Sequence, residues 1–218
     1  MEHSWLIDGF IFSHPFSCLI AGPSQSGKTT LIKEILMFNK LIIDPTIQRI
    51  IYCYSVWQPI FDEIKNLISN IEFHEGIYNI DNFDQSNRSL LILDDLMKEC
   101  ENDQSILNLF TVDSHHKNIS VFLLTQNIFS KGKYTRTISL NSSYIIIFKN
   151  PRDKSQVYTL ARQMFPDKIN FFMEAFNDAV TNRAHSYLFV DLKQKTEEKN
   201  RIQTGIIPGN LRIIYTSK

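Results

Sequence analysis

Five short runs along the chain are apolar at nearly every position, and each ends in polar or charged residues: "SCLIAG" (17–22), "RIIYCYS" (49–55), "SLLILDD" (89–95), "SVFLLTQ" (120–126) and "YIIIFKN" (144–150). A strand with one wet face alternates, so unbroken apolarity predicts strands covered on both faces, as in a parallel sheet. Between them the apolar spacing lengthens to a helical period. Helices are predicted over "KTTLIKEILMFNK" (28–40), "QPIFDEIKNLIS" (58–69) and roughly 103–112. A helical pair follows, "DKSQVYTLARQMF" and "DKINFFMEAFNDAV", broken at Pro166. "YLFVDL" (187–192) and "LRIIYTS" (211–217) predict edge strands, and "KQKTEEKN" (193–200) an exposed turn. Strands alternating with helices predict an α/β protein. One domain is expected over 1–218: a lead-in (1–16), a core (17–150), then the helical pair and C-terminal strands (151–218).

Composition adds bounds to this pattern. With 218 residues, 43% of them hydrophobic and 12% aromatic, the chain can bury one sizeable core. Its apolar runs, such as "YIIIF", fall far short of a membrane span. The opening "MEHSWLIDGFIFSHPFS" lacks a basic start and a small-residue cleavage pattern. A soluble, intracellular chain with no membrane partner is expected. Cys18, Cys53 and Cys100 form no CxxC pair, and Cys18 and Cys53 read as core thiols in strands. The net charge is zero but unevenly spread. Nine acids between 75 and 113 face only Arg88 and Lys98, whereas eight bases between 131 and 168 face only Asp153 and Asp167.

The chemistry begins directly after the first strand, with "GPSQSGKTT". This is GxxxxGK[ST] between a strand and a helix, the setting in which the pattern cradles phosphates. Gly22, Pro23, Ser24, Gln25, Ser26 and Gly27 form the expected nucleotide-binding loop: the glycines allow it to wind tightly, and the N–H groups of its residues other than Pro23 converge on a β-phosphate at a helix N-terminus. Lys28 reaches the β- and γ-phosphates, the Thr29 hydroxyl coordinates Mg²⁺, and Thr30 continues the first turn. ATP and Mg²⁺ are the expected ligands.

Two carboxylates and an amide complete the reading. In P-loop proteins a neighbouring buried strand ends in an aspartate that holds the Mg²⁺ shell, and "LLILD" supplies Asp94. Asp95, beside it, stands where hydrolysing enzymes place the group that activates water; a kinase has no use for one there. Glutamate is commoner at that position, and aspartate is shorter by about 1.5 Å. Either the backbone advances the carboxylate or turnover is slow. "VFLLTQN" ends in Thr125 and Gln126, and a glutamine there can bond both the γ-phosphate and the water. A sensor strand between the acidic strand and the P-loop strand implies the order 5-1-4-3-2.

With these motifs in order, the chain resembles the DNA-packaging ATPases of the FtsK/HerA superfamily, and most closely their poxvirus-type branch of large DNA viruses, virophages and Polinton (Maverick) elements. The resemblance runs through "HPFSCLIAGPSQSGKTT", "YCYSVWQPIFDEI", "IEFHEG", "LLILDDLM", "VFLLTQNIF", "RTISLNSSYIIIFKNPRD" and "LARQMFP". It implies a RecA-like P-loop NTPase of the ASCE type, a three-layer αβα sandwich with added C-terminal edge strands. It also implies a homo-oligomeric ring, a pentamer or hexamer, that hydrolyses ATP to drive double-stranded DNA into a preformed capsid. A capsid or vertex protein would be the partner, inside an infected host cell.

Ring ATPases commonly insert an arginine into the neighbour's site. Arg136, ahead of the fifth strand, and Arg152, just after it, are the candidates, with Arg136 ranked first. "IFSKGKYTRTISLNSS" contains no acid in sixteen residues, and Lys131, Lys133 and Tyr134 within it suit a loop that tracks a phosphate backbone without reading sequence. Two other classes stay open: a P-loop kinase of nucleotides or small metabolites, and an ATP-dependent assembly switch that moves no DNA. His115 and His116 are adjacent, so their side chains diverge, and they predict no zinc site. Trp57 is expected to pack and not to flank a base.

Overall fold

The computed structural model describes residues 2–5, 9–100, 102–113, 116–129, 132–181 and 184–217. The five apolar runs are the parallel centre of one ten-stranded sheet. They form β3 (Ser17–Ala21), β5 (Arg49–Tyr54), β7 (Ser89–Asp94), β8 (Ile119–Thr125) and β9 (Tyr144–Phe148). Their order across the sheet is β9-β3-β8-β7-β5, the order expected from the sequence, with all four pairings parallel.

The unbroken apolarity has the expected cause. Residues alternate along each strand between two separate cores, one on each face of the sheet: Leu19, Ile51, Leu91, Val121 and Ile145 pack on one side, and Ile20, Tyr52, Ile92, Phe122 and Ile146 on the other. The first core is closed by α3 (Gln104–Asn108), α4 (Thr135–Asn141), α5 (Ser155–Met164) and α6 (Ile169–Thr181). The second is closed by α1 (Lys28–Met37) and α2 (Pro59–Leu67), through Ile32, Ile35, Phe61 and Ile64. The result is a three-layer αβα sandwich.

Several elements differ from expectation. The first helix ends at Met37, and a separate turn follows at Asn39–Ile42. The helix expected to reach residue 112 gives way after Asn108 to a π-helical turn, Leu109–Asp113. The lead-in is not peripheral: Phe10, Phe12 and Phe16 are buried in the second core against Phe122, Tyr144 and Phe189. Part of the basic stretch expected as a loop is helix α4, anchored by buried Thr135, Ile138 and Ser139 at helical spacing.

The sheet is also wider than predicted. β6 (Ile71–Glu75) extends one edge in parallel beside β5. On the other edge β10 (Tyr187–Asp191), β11 (Ile202–Thr204), β12 (Ile213–Thr216) and β1 (Glu2–Trp5) continue antiparallel from β9. A small separate pair joins β2 (Phe12–Ser13) and β4 (Ile43–Asp44). Among the described residues no helix is long and apolar enough to cross a membrane.

Candidate functional site

The loop between β3 and α1 turns at two positions that a side chain would obstruct. A Cβ on Gly22 would lie 2.7 Å from both Phe148 Cβ and Ser26 Oγ. Gly27 has φ 104°, and a Cβ there would meet His185 Cβ at 2.8 Å. Gln25, also left-handed at φ 64°, completes the curl. The amide of Ser26 donates to the Pro23 carbonyl at 3.2 Å, closing the turn.

The P-loop, β7 and β8 then converge. Ser24, Gln25, Lys28, Thr29, Gln58, Asp94, Asp95 and Gln126 line one cavity of about 230 Å³ at the carboxyl end of the parallel strands. Lys28 Nζ donates to the carbonyls of Gly22 at 2.7 Å and Pro23 at 3.0 Å. Burial lowers the Lys28 pKa, and the charges of Asp94 and Asp95 oppose that shift.

The two aspartates have different surroundings. Asp94 is 4% exposed, and its Oδ2 accepts from Thr29 Oγ1 at 2.9 Å and from the Tyr52 hydroxyl at 2.7 Å. Burial raises its pKa, while the two hydroxyl donors and Lys28 pull it back down. Asp95 is exposed, with φ 56° in the left-handed region. Aspartate is among the few residues that tolerate that backbone. The chain therefore turns sharply between the two carboxylates, sending one into the sheet and leaving the other to solvent beside Gln126, itself exposed. The shorter side chain of Asp95 thus comes with a backbone that departs from the extended strand.

Not every predicted residue joins this cavity. Thr30 faces a neighbouring cavity on the other side of α1. Arg136 is exposed on the first turn of α4, and Arg152 is exposed in the turn after β9. Neither forms a salt bridge with a described carboxylate. Lys133 is exposed, its ammonium 4.8 Å from the centre of the Tyr134 ring, and Lys131 lies outside the described residues. Trp57 packs against Tyr54, Phe61 and Phe73 and does not line this cavity. His116 is exposed, His115 lies outside the described residues, and no group of three metal-binding side chains occurs among the described residues.

Four contributors escaped the sequence reading. Tyr52 was hidden inside an apolar run; its signal was register, since it pairs with Ile92, two residues before Asp94 and on the same face. Gln58 precedes α2 as an ordinary N-cap position. His185 Nδ1 donates to the Ser26 carbonyl at 3.0 Å, across 159 residues of sequence. Gln156 accepts from the amides of Ile128 (2.7 Å) and Phe129 (3.3 Å) and donates to Asn127 Oδ1 (2.9 Å) and Asp153 Oδ2 (2.6 Å). It thereby ties the segment after Gln126 to the turn that carries Arg152.

The fold has solved counterparts. The genome packaging NTPase B204 from Sulfolobus turreted icosahedral virus 2, in complex with ATP-γS, superposes with a TM-score of 0.58 at 15% identity, over 87% of this chain and 96% of that one. The same protein in complex with AMPPCP gives 0.57 at 14% identity, over the same shares. B204, the DNA-packaging ATPase from Sulfolobus turreted icosahedral virus, gives 0.55 at 15% identity, over 94% of this chain and 99% of that one. This is the RecA-like fold of a P-loop NTPase. No protein-family profile matches the sequence, and no curated protein matches it either.

Proposed function

We propose that this chain is an ATP-hydrolysing motor that moves double-stranded viral DNA into a preformed capsid. The observation that carries the hydrolytic part is the splayed pair Asp94 and Asp95, one buried and hydrogen-bonded to the P-loop threonine, the other exposed in the same cavity as Gln126. The likeness to viral packaging NTPases supports the choice of motor over kinase at the level of the fold. The finer kinship, with the poxvirus-type FtsK/HerA branch, rests on the ordered motifs of the sequence.

In this reading the triphosphate lies on the N-terminus of α1, where the backbone amides and the helix dipole favour anions. Lys28 leaves the Gly22 and Pro23 carbonyls for phosphate oxygens. Thr29 Oγ1 and Asp94 Oδ2, two hard oxygens 2.9 Å apart, suit the Mg²⁺ that accompanies ATP, with Asp94 acting through the hydration shell. When bound, that ion would neutralise charge on the phosphates. Asp95 accepts the proton of the attacking water, and Gln126 orients that water against the γ-phosphate.

The motor works as a homo-oligomeric ring of five or six subunits, on a capsid or vertex protein inside an infected cell. Arg136 is the first candidate for the group donated across the subunit boundary and Arg152 the second. Lys131, Lys133 and Tyr134 face the DNA backbone, modest charge repeated around a ring, which reconciles a neutral chain with a polyanionic track. The test is ATP turnover by the oligomeric protein with and without long double-stranded DNA. Stimulation is expected; equal rates in a preparation shown to be oligomeric contradict the proposal.

A further inference from the structure

A second cavity, about 560 Å³, lies on the opposite side of the first turn of α1 from the one that holds the aspartates. Its lining follows one face of the helix at positions 27, 30, 31 and 34, the spacing that stacks side chains along a single stripe. The facing wall comes from the C-terminal strands: Tyr187 of β10 and Leu211 from the loop between β11 and β12. That volume lies within the range of about 300–1,000 Å³ typical of small-molecule sites. The two cavities meet where Gly27 and Lys28, and Thr29 and Thr30, divide their lining between them. A triphosphate seated on α1 with its γ end beside Asp95 therefore directs its other end here.

The cavity mixes apolar side chains with polar ones, Thr30, His185, Thr204 and Asn210 besides Glu34 and Tyr187. Leu31 and Leu211 supply the apolar surface, and Glu34 is half-buried one turn below Thr30. Burial raises the Glu34 carboxyl above its ordinary pKa, with Lys33 opposing. The Tyr187 hydroxyl is buried and makes no hydrogen bond of ordinary geometry; the Ile206 amide approaches it, and the charge of Glu34 is near enough to act on it. A desolvated acceptor beside an unpaired donor is costly in a protein interior unless a polar ligand uses them.

We propose that this cavity is a nucleoside pocket selecting adenine, with the Glu34 carboxylate accepting a hydrogen from the exocyclic amine of the base. Guanine presents a carbonyl oxygen at the equivalent edge, so acceptor would meet acceptor, and sites built on such polar matching reject the wrong partner strongly. The C-terminal strands then have a role beyond widening the sheet: they form the wall that closes over the base.

The pocket rests on the triphosphate reading of the P-loop, and inorganic tripolyphosphate with Mg²⁺ separates the two. Binding of ATP, GTP and tripolyphosphate is measured on the full chain, on Glu34→Gln and on Leu211→Trp. The unaltered protein is expected to prefer ATP over GTP by about tenfold or more, and Glu34→Gln, which adds an amide donor, to bring the two within about threefold. Leu211→Trp, at a half-exposed loop position compatible with folding, fills the cavity and is expected to lower ATP affinity toward that of tripolyphosphate, leaving tripolyphosphate itself unchanged. An ATP-to-GTP ratio that is the same in Glu34→Gln, with tripolyphosphate still bound, overturns the pocket and leaves the phosphate site standing. Failure of tripolyphosphate to bind the unaltered chain overturns both.

Discussion

At the scale of single residues, the site turns on the difference between two adjacent aspartates. Asp94 is held by Thr29 and Tyr52, so its position is fixed by its neighbours; Asp95 is placed by a left-handed backbone instead. Asp95→Asn keeps the size and loses the base, and it is expected to retain nucleotide binding while turnover falls by about 10²–10⁴-fold. Single-turnover kinetics beside equilibrium binding separate the two effects. Lys28→Ala is expected to lose binding and turnover together. Tyr52→Phe removes one of the two hydroxyl donors to Asp94, and Mg²⁺-dependent nucleotide affinity should drop by about 10–100-fold, as for other partners that orient a metal-binding group. An unchanged affinity would show that Thr29 alone orients the carboxylate. The P-loop, the acidic pair and Gln126, which the fold gathers around one cavity, could be picked out because residue type at fixed spacing marks them. Tyr52, His185 and Gln156 could not, because each acts across a distance in sequence that only strand register or tertiary folding closes.

At the scale of elements, central strands were readable and edges were not. A strand covered on both faces is apolar throughout, whereas β6 reads "IEFHE" with mixed burial and β11 has three residues, too few for any period to show. Helix α4, "TRTISLN", has little helix preference and one large buried apolar residue, so tertiary packing decides it. The N-terminal segment was underrated for a similar reason: its phenylalanines carry no regular period. Phe12 is fully buried among Phe10, Phe16, Phe122 and Tyr144, and Phe12→Ala should cost about 3–5 kcal/mol in chemical denaturation. A smaller electrostatic effect belongs to the turn after β10. Burial lowers the Lys193 ammonium to about 8, against an opposing effect from Asp191, while in the unfolded chain it titrates near its ordinary value of about 10.4. Below pH 8 both states are charged and the folded state bears the full desolvation penalty. Between the two values the unfolded chain binds more protons, so stability rises with pH across that window. Lys193→Met should flatten that part of the stability profile measured by urea denaturation from pH 7.5 to 10.5.

At the scale of the whole molecule, the sheet places everything the proposed motor needs along one edge. P-loop, paired aspartates and Gln126 stand at the carboxyl ends of β3, β7 and β8, and the turn bearing Arg152 follows β9 and is tied to the Gln126 segment through Gln156. Arginines exposed near such an edge are available to a neighbouring subunit. Mixed assemblies check this: Arg136→Ala subunits combined with Lys28→Ala subunits should recover part of the turnover that each lacks alone, because an intact site can then receive an intact arginine. The same mixture made with Arg152→Ala ranks the two candidates. The central claim is movement along DNA, and displacement of a triplex-forming strand from a long duplex reads movement directly. With ATP, the assembled protein is expected to strip the third strand, after a lag that grows with the distance between the loading end and the triplex, and Asp95→Asn is expected to leave it in place. A chain that hydrolyses ATP yet never displaces the strand at any distance would contradict the account.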